Sequence, residues 1–90
     1  MGPEEDPRVA LLLTSDEALV LFEWLFKRDD DDALDPLIER WSEQVVLWGL
    51  LAQLEKTLAE PFDPEYSRLL AAARERLVEG IAPGDRRRAR

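Results

Sequence analysis

The sequence predicts a small all-α domain, a three-helix bundle. Three observations support this prediction: recognisable helix-start signals, apolar residues that recur every three or four positions, and the absence of any alternating strand pattern. We predict helices at about residues 15–28, 36–59 and 64–79. At 90 residues, the chain is long enough for one modest core and no more.

The first predicted helix has signals at both ends. Thr14 and Glu17 have the spacing of a capping box, in which the threonine hydroxyl accepts from the glutamate amide and the glutamate carboxylate reaches back. Lys27 and Arg28 fall in the last turn, where the helix dipole favours cations. The acidic run, residues 29–32, is predicted to end the helix.

The second and third helices are each predicted to start with an aspartate cap followed by proline. Asp35 precedes Pro36 and Asp63 precedes Pro64, and proline costs nothing at the first helical position because its missing N–H has no partner there. Gly80 is predicted to close the third helix as its C′ residue.

The predicted domain organisation has three parts. Residues 1–13 are expected to form a partly ordered N-terminal arm, residues 14–81 the helical domain, and residues 82–90 a flexible, arginine-rich tail. No apolar run approaches the roughly 20 residues that span a bilayer, and the start of the chain is acidic, unlike a secretory signal. We therefore expect no membrane association and a cytoplasmic location.

Composition argues against catalysis. The chain has no cysteine and no histidine, which removes thiol nucleophiles, disulfides and the commonest general base and metal ligand. The acidic run fails as a calcium loop because its sixth and twelfth positions are Leu34 and Arg40. Residues 31–35 match the DDxxD pattern of isoprenoid synthases, but those enzymes need a large cavity and a second metal motif. We predict no enzyme, no metal and no cofactor, with a metal-dependent enzyme as the remotest alternative.

The net charge of −8 is unevenly distributed. Residues 1–44 carry −9, whereas residues 85–90 carry +3. An acidic body favours basic partners and repels nucleic acid. The arginine tail could contact phosphate, but without interleaved aromatic residues a solubilising end is the better interpretation.

Apolar surface points to a binding role. In the first helix, eight of the nine residues at 18–26 are apolar, so two neighbouring helices cannot cover its whole circumference. In the second helix, Trp41 and Trp48 lie on an apolar stripe and are predicted to be core, whereas Trp24 fits core and interface equally well. The predicted apolar binding residues are Val20, Trp24 and Phe26. The predicted acidic binding residues are Asp29, Asp30, Asp31 and Asp32, for which a solvated loop is the alternative.

The function expected from these features is a protein–protein interaction module. Its size, acidity and helicity are those of small bacterial-type immunity proteins, antitoxins and nuclease inhibitors that neutralise a basic partner, although no motif supports that analogy. The alternative is a homo-oligomeric structural or adaptor domain, in which copies of the chain complete one another's bundle.

Overall fold

A computed structural model describes residues 7–81 and confirms an all-α bundle of three helices. The helices are α1 (Ser15–Asp30), α2 (Trp41–Thr57) and α3 (Tyr66–Val78). Single 3-10 turns at Asp35–Leu37 and Glu60–Phe62 connect them. The first half of the predicted arm and the predicted flexible tail lie outside the described residues.

The capping box at the start of α1 is present as predicted. The Thr14 amide donates to Glu17 Oε1 at 2.7 Å, and the Glu17 amide donates to Thr14 Oγ1 at 3.1 Å. The helix continues two residues beyond its predicted end, to Asp30. Asp32 then takes a positive φ of 58°, which turns the chain out of the helix direction.

Replacing Thr14 by alanine is expected to lower the free energy of unfolding by about 1 kcal/mol, because one amide of the first turn loses its acceptor. Urea unfolding followed by circular dichroism measures this. Ser15→Ala, one position further into the same exposed turn, is the control, and an equal loss in both variants would contradict a specific cap at Thr14.

The predicted start of α2 at residue 36 is wrong. Pro36 lies in a 3-10 turn that ends at Leu37, and Arg40 is extended, with φ −137° and ψ 154°. The Glu43 carboxylate accepts from the amides of Glu39 at 3.0 Å and Arg40 at 2.7 Å. These bonds fix the two residues before the helix, and α2 starts at Trp41, five residues later than predicted.

The ends of α2 and α3 differ from prediction by small amounts. α2 ends at Thr57, two residues early, and the extended Leu58 still packs into the core. The Asp63 carboxylate accepts from the Glu65 amide at 2.7 Å, which forms a turn before α3 starts at Tyr66. Gly80 has the predicted C′ conformation, with φ +79°.

α1 lies between the other two helices and packs against both, whereas α2 and α3 make few contacts with each other. The main core forms where the start of α1 meets the end of α2 and the middle of α3. Its buried members are Leu19, Phe22, Leu54, Leu58, Leu70 and Ala73. Because residues early in α1 meet residues late in α2, and Asp29 meets Trp48, these two helices run antiparallel.

A surface ion pair joins the outer ends of α1 and α3. Arg76 donates to both carboxylate oxygens of Asp16, at 2.7 and 2.8 Å. This hydrogen-bonded pairing lowers the pKa of Asp16 and raises that of Arg76. The pair adds little stability, since exposed ion pairs are solvated.

Within residues 7–81, no helix combines the length and apolar character that crossing a bilayer requires.

Candidate protein-binding surface

An exposed apolar surface that contains two tryptophans lies on α2. Trp41, Val45 and Trp48 remain 68, 48 and 44 % exposed, and together they form what we call the tryptophan face. They are spaced by four and three residues, which places them on one side of the helix. The prediction that Trp41 and Trp48 are core residues is therefore wrong.

The physical reason is that α2 carries two apolar stripes and only one of them can face α1. The stripe that packs inward contains Leu51, Leu54 and Leu58, together with the buried Gln44. The tryptophan face lies about a quarter turn away and is left at the surface.

The two tryptophans hold each other in place. Their rings meet edge to face, with centroids 5.2 Å apart and an interplanar angle of 85°. Such a pair is worth about 0.5–1.5 kcal/mol beyond its buried area. The rings are therefore preorganised, which reduces the entropy that a partner must offset on binding.

Asp29 connects the tryptophan face to the acidic run. Its Oδ1 atom accepts from Trp48 Nε1 at 3.0 Å and, at the longer distance of 3.4 Å, from Gln44 Nε2. The sequence separations are 19 and 15 residues, so no local pattern signals these bonds. The contact makes the end of α1 and the middle of α2 one surface.

The rest of the acidic run divides into two kinds of residue. Asp31 accepts from the Ala33 amide at 3.0 Å and from Arg28 at 2.8 Å. Burial alone would raise the pKa of Asp31, but these two hydrogen bonds outweigh it and the pKa is lowered. Asp30 and Asp32 are exposed and make no hydrogen bond or ion pair with other described side chains. Asp31 is also exposed, but in this run only Asp30 and Asp32 have charges that no other described side chain engages.

The structure does not bring Val20, Trp24 and Phe26 into one patch. Val20 packs against the core, whereas Trp24 and Phe26 are 49 and 48 % exposed. Trp24 and Phe26 are two positions apart, about 200° around the helix, so they face different sides. Phe26 lies one turn before Asp29 and stacks on Phe22, with ring centroids 5.8 Å apart. Of the three, only Phe26 shares a side with the tryptophan face.

Glu23 forms a buried polar link between α1 and α3. The Tyr66 hydroxyl donates to Glu23 Oε1 at 2.6 Å, and Lys27 Nζ lies 3.1 Å from Oε2. Burial raises the pKa of Glu23, but the bonds from Tyr66 and Lys27, with the field of Arg74, exceed that effect and lower it. The spacing of four residues within one helix indicates Lys27 as a partner of Glu23. Tyr66 is 43 residues away, so no local pattern indicates it.

The arrangement of the carboxylates bears on whether the chain could hold a metal. Across residues 7–81, no three carboxylates converge in a way that could hold a metal ion.

An open apolar groove of about 530 Å³ lies on the other flank of α2, between Leu34, Leu37, Val46 and Leu47. α2 thus exposes apolar side chains on both flanks.

Comparison of the chain with protein-family models, with curated proteins and with solved structures finds no significant match.

Proposed function

We propose that this protein is a non-catalytic binding module that docks onto a basic partner protein through the tryptophan face and the adjacent acidic run. The observation that carries the proposal is the bond from Trp48 to Asp29, because it joins an apolar anchor and a negatively charged flank into one preorganised surface. The proposed site is completed by Trp41, Val45, Asp30 and Asp32.

The apolar part of the surface has the composition of an interface centre. Tryptophan is enriched among residues that dominate binding energy, and each such anchor typically contributes at least about 2 kcal/mol. Trp41 is 68 % exposed, an unusual position for a side chain whose burial is so favourable. A partner that covers both rings would gain this energy without rearranging them.

The acidic part of the surface favours a basic partner over a second copy of the chain. A symmetric dimer through the tryptophan face would bring two acidic runs close together, and like charges at an interface are unfavourable. Lysine or arginine on a partner would instead pair with Asp30 and Asp32 and could stack on the exposed indole rings. Such pairing also speeds association at low salt.

More specifically, we propose that the module neutralises its partner, as inhibitors, immunity proteins and antitoxins do. The expected compartment is the cytoplasm. An acidic surface that covers a basic one would block access of other anions, such as nucleic acid, to the partner. This form rests on charge and size and is tested by the partner's identity.

The test compares three variants of the full chain as baits in a lysate of the source organism. Trp48→Ala removes an anchor, the pair Asp30→Asn and Asp32→Asn removes charge, and Glu75→Gln is the control, since Glu75 is exposed on α3 away from this surface. A protein retained by wild type and control is then purified and titrated by calorimetry. We expect a basic protein whose affinity falls about 30-fold with Trp48→Ala, equivalent to about 2 kcal/mol.

Removing the two aspartate charges is expected to weaken binding about fivefold at low salt and less at high salt, because screening already reduces their contribution. Two results would contradict the proposal. One is a bound protein whose affinity does not depend on Trp48. The other is a stable dimer in light scattering that Trp48→Ala dissociates, which would favour the homo-oligomeric alternative.

A further inference from the structure

A second cavity opens where α1, α2 and the Glu60–Phe62 turn meet. This aromatic pocket has a volume of about 250 Å³ and is lined mainly by four aromatic rings and two carboxylates. These residues are Phe22, Phe26, Phe62, Tyr66, Glu23 and Glu55. We propose that the aromatic pocket binds the cationic end of an arginine or lysine side chain, and, resting on the proposed function, that this side chain belongs to the same basic partner.

The aromatic rings that line the pocket suit a cation. Aromatic faces attract guanidinium and ammonium groups held within about 6 Å of a ring centroid. Phe22 and Phe26 are stacked with only 19° between their planes, so they form one continuous wall. Phe62 is 78 % exposed and Phe26 48 %. Two large apolar rings thus border a cavity that residues 7–81 leave open.

The two carboxylates of the pocket can accept hydrogen bonds from a cation. An ionised carboxylate has about four acceptor positions. In Glu23 the Tyr66 hydroxyl and the Lys27 ammonium use two of them, which leaves acceptor capacity for an incoming N–H group. Glu55 lies on the α2 side of the pocket, is exposed, and makes no hydrogen bond or ion pair with other described side chains. A cation between Glu23 and Glu55 would be held from two sides.

The charge around the pocket is negative even when the nearby bases are counted. In the part of the chain that the structure describes, Glu23, Glu55 and Glu60 are opposed by Lys27 and Arg74, which leaves one excess negative charge. The Lys27 side chain is 63 % exposed, so its ammonium can move into solvent when a second cation enters. The pocket therefore discriminates against anions and favours a single positive charge.

The position of the pocket connects it to the tryptophan face. Glu55 follows Trp48 by seven residues, two helical turns along the same side of α2, at a distance of about 10 Å. Phe26 precedes Asp29 by one turn on the same side of α1. A partner segment could therefore contact the tryptophan face with an apolar side chain and place a basic side chain in the pocket, about 10 Å further along the segment.

The pocket can be tested without the partner. Labelled full-length protein is titrated with Nα-acetylarginine amide, and with the citrulline analogue as a neutral control of nearly the same shape, while NMR follows the phenylalanine and tyrosine ring signals. We expect saturable shifts at Phe26, Phe62 and Tyr66 with the arginine probe alone, with a dissociation constant on the order of 1 mM, as suits so small a ligand.

Phe62→Ala and Glu55→Gln are each expected to weaken the arginine probe about fivefold, the loss of one exposed cation–π or charge contact. Both positions are exposed, so the fold should persist, and Glu75→Gln should have no effect. Equal shifts with the citrulline analogue, or no saturation with arginine, would overturn the pocket proposal.

Failure of this proposal can be separated from failure of the proposed function. If partner binding depends on Trp48 but neither partner nor probe responds to Phe62→Ala, the pocket proposal is wrong and the docking function stands. If the arginine probe saturates the pocket but no partner depends on Trp48, the cation site stands and its link to the docking function is wrong.

Discussion

Replacing Phe22 by alanine is expected to lower the free energy of unfolding by about 3–4 kcal/mol, because removal of a buried ring loses its transfer energy and leaves a cavity. Phe22 is 6 % exposed and belongs to the buried cluster that joins all three helices. Small domains are stable by only about 5 kcal/mol or slightly more, so this variant should be partly unfolded at room temperature. Urea unfolding, extrapolated to water, measures the change.

The matched control for Phe22→Ala is Trp41→Ala, which removes a larger ring from the surface. Trp41 is 68 % exposed and forms an edge-to-face pair with Trp48, so the expected loss is about 1 kcal/mol. A loss at Trp41 as large as that at Phe22 would mean that Trp41 is a core residue, as its spacing in the sequence predicts.

The number of helices and several of their ends were predictable because the signals are local. The Thr14 cap depends on Glu17, three residues away, and the end of α3 depends on Gly80, one residue beyond its C-cap. The start of α2 is also locally determined, but two local signals compete there. Asp35 with Pro36 indicates a start at residue 36, whereas the amides capped by Glu43 produce a start at Trp41.

The orientation of α2 was not predictable from its periodicity. When a helix is apolar around most of its circumference, two stripes satisfy the same spacing, and only packing against a neighbour selects between them. The leucine stripe of Leu51, Leu54 and Leu58 meets α1, and Trp48 is left outside. Exposed apolar side chains are found on α1, at Trp24 and Phe26, and also on α2, where the pattern alone does not place them.

The contacts that build the candidate site are long-range and therefore invisible to pattern analysis. Trp48 and Asp29 are 19 residues apart, and Tyr66 and Glu23 are 43 apart. The acidic run could be located in the sequence, but the role of Asp29 depends on the tertiary structure, because its partner Trp48 comes from another helix.

Replacing Tyr66 by phenylalanine is expected to lower the free energy of unfolding by about 1.5–3 kcal/mol at neutral pH, because a buried carboxylate loses a hydrogen-bond donor. Glu23 is 6 % exposed and would keep only the ammonium of Lys27, 3.1 Å away. Burial, which raises the pKa of Glu23, would then be less fully opposed, so the pKa should rise in the variant. Urea unfolding of both proteins across the pH range measures the difference.

The stability difference between wild type and Tyr66→Phe should change with pH in a definite direction, both in acid and in alkali. In the wild type the pKa of Glu23 is lowered from 4.5, so its contribution is present above about pH 4.5 and is lost as the pH falls through the lowered value. The pKa of Tyr66 is raised from 10.0 by burial and by Glu23, so its contribution is complete below pH 10 and is lost as the pH rises further. The stability gap between wild type and Tyr66→Phe should therefore narrow in acid and in strong alkali.

Tyr66 is the only tyrosine in the chain, so tyrosinate absorbance reports its ionisation directly. Alkaline titration of the wild type should show ionisation above pH 10, because burial and the nearby Glu23 carboxylate both raise the pKa of Tyr66. Glu23→Gln keeps a hydrogen-bond acceptor but removes the charge, so it should shift the titration back towards the ordinary value. Two results would show that the Tyr66–Glu23 bond does not persist in solution: an ordinary pKa for Tyr66 in the wild type, or a stability gap that is constant with pH. The aromatic pocket would then lose the wall that these two residues form.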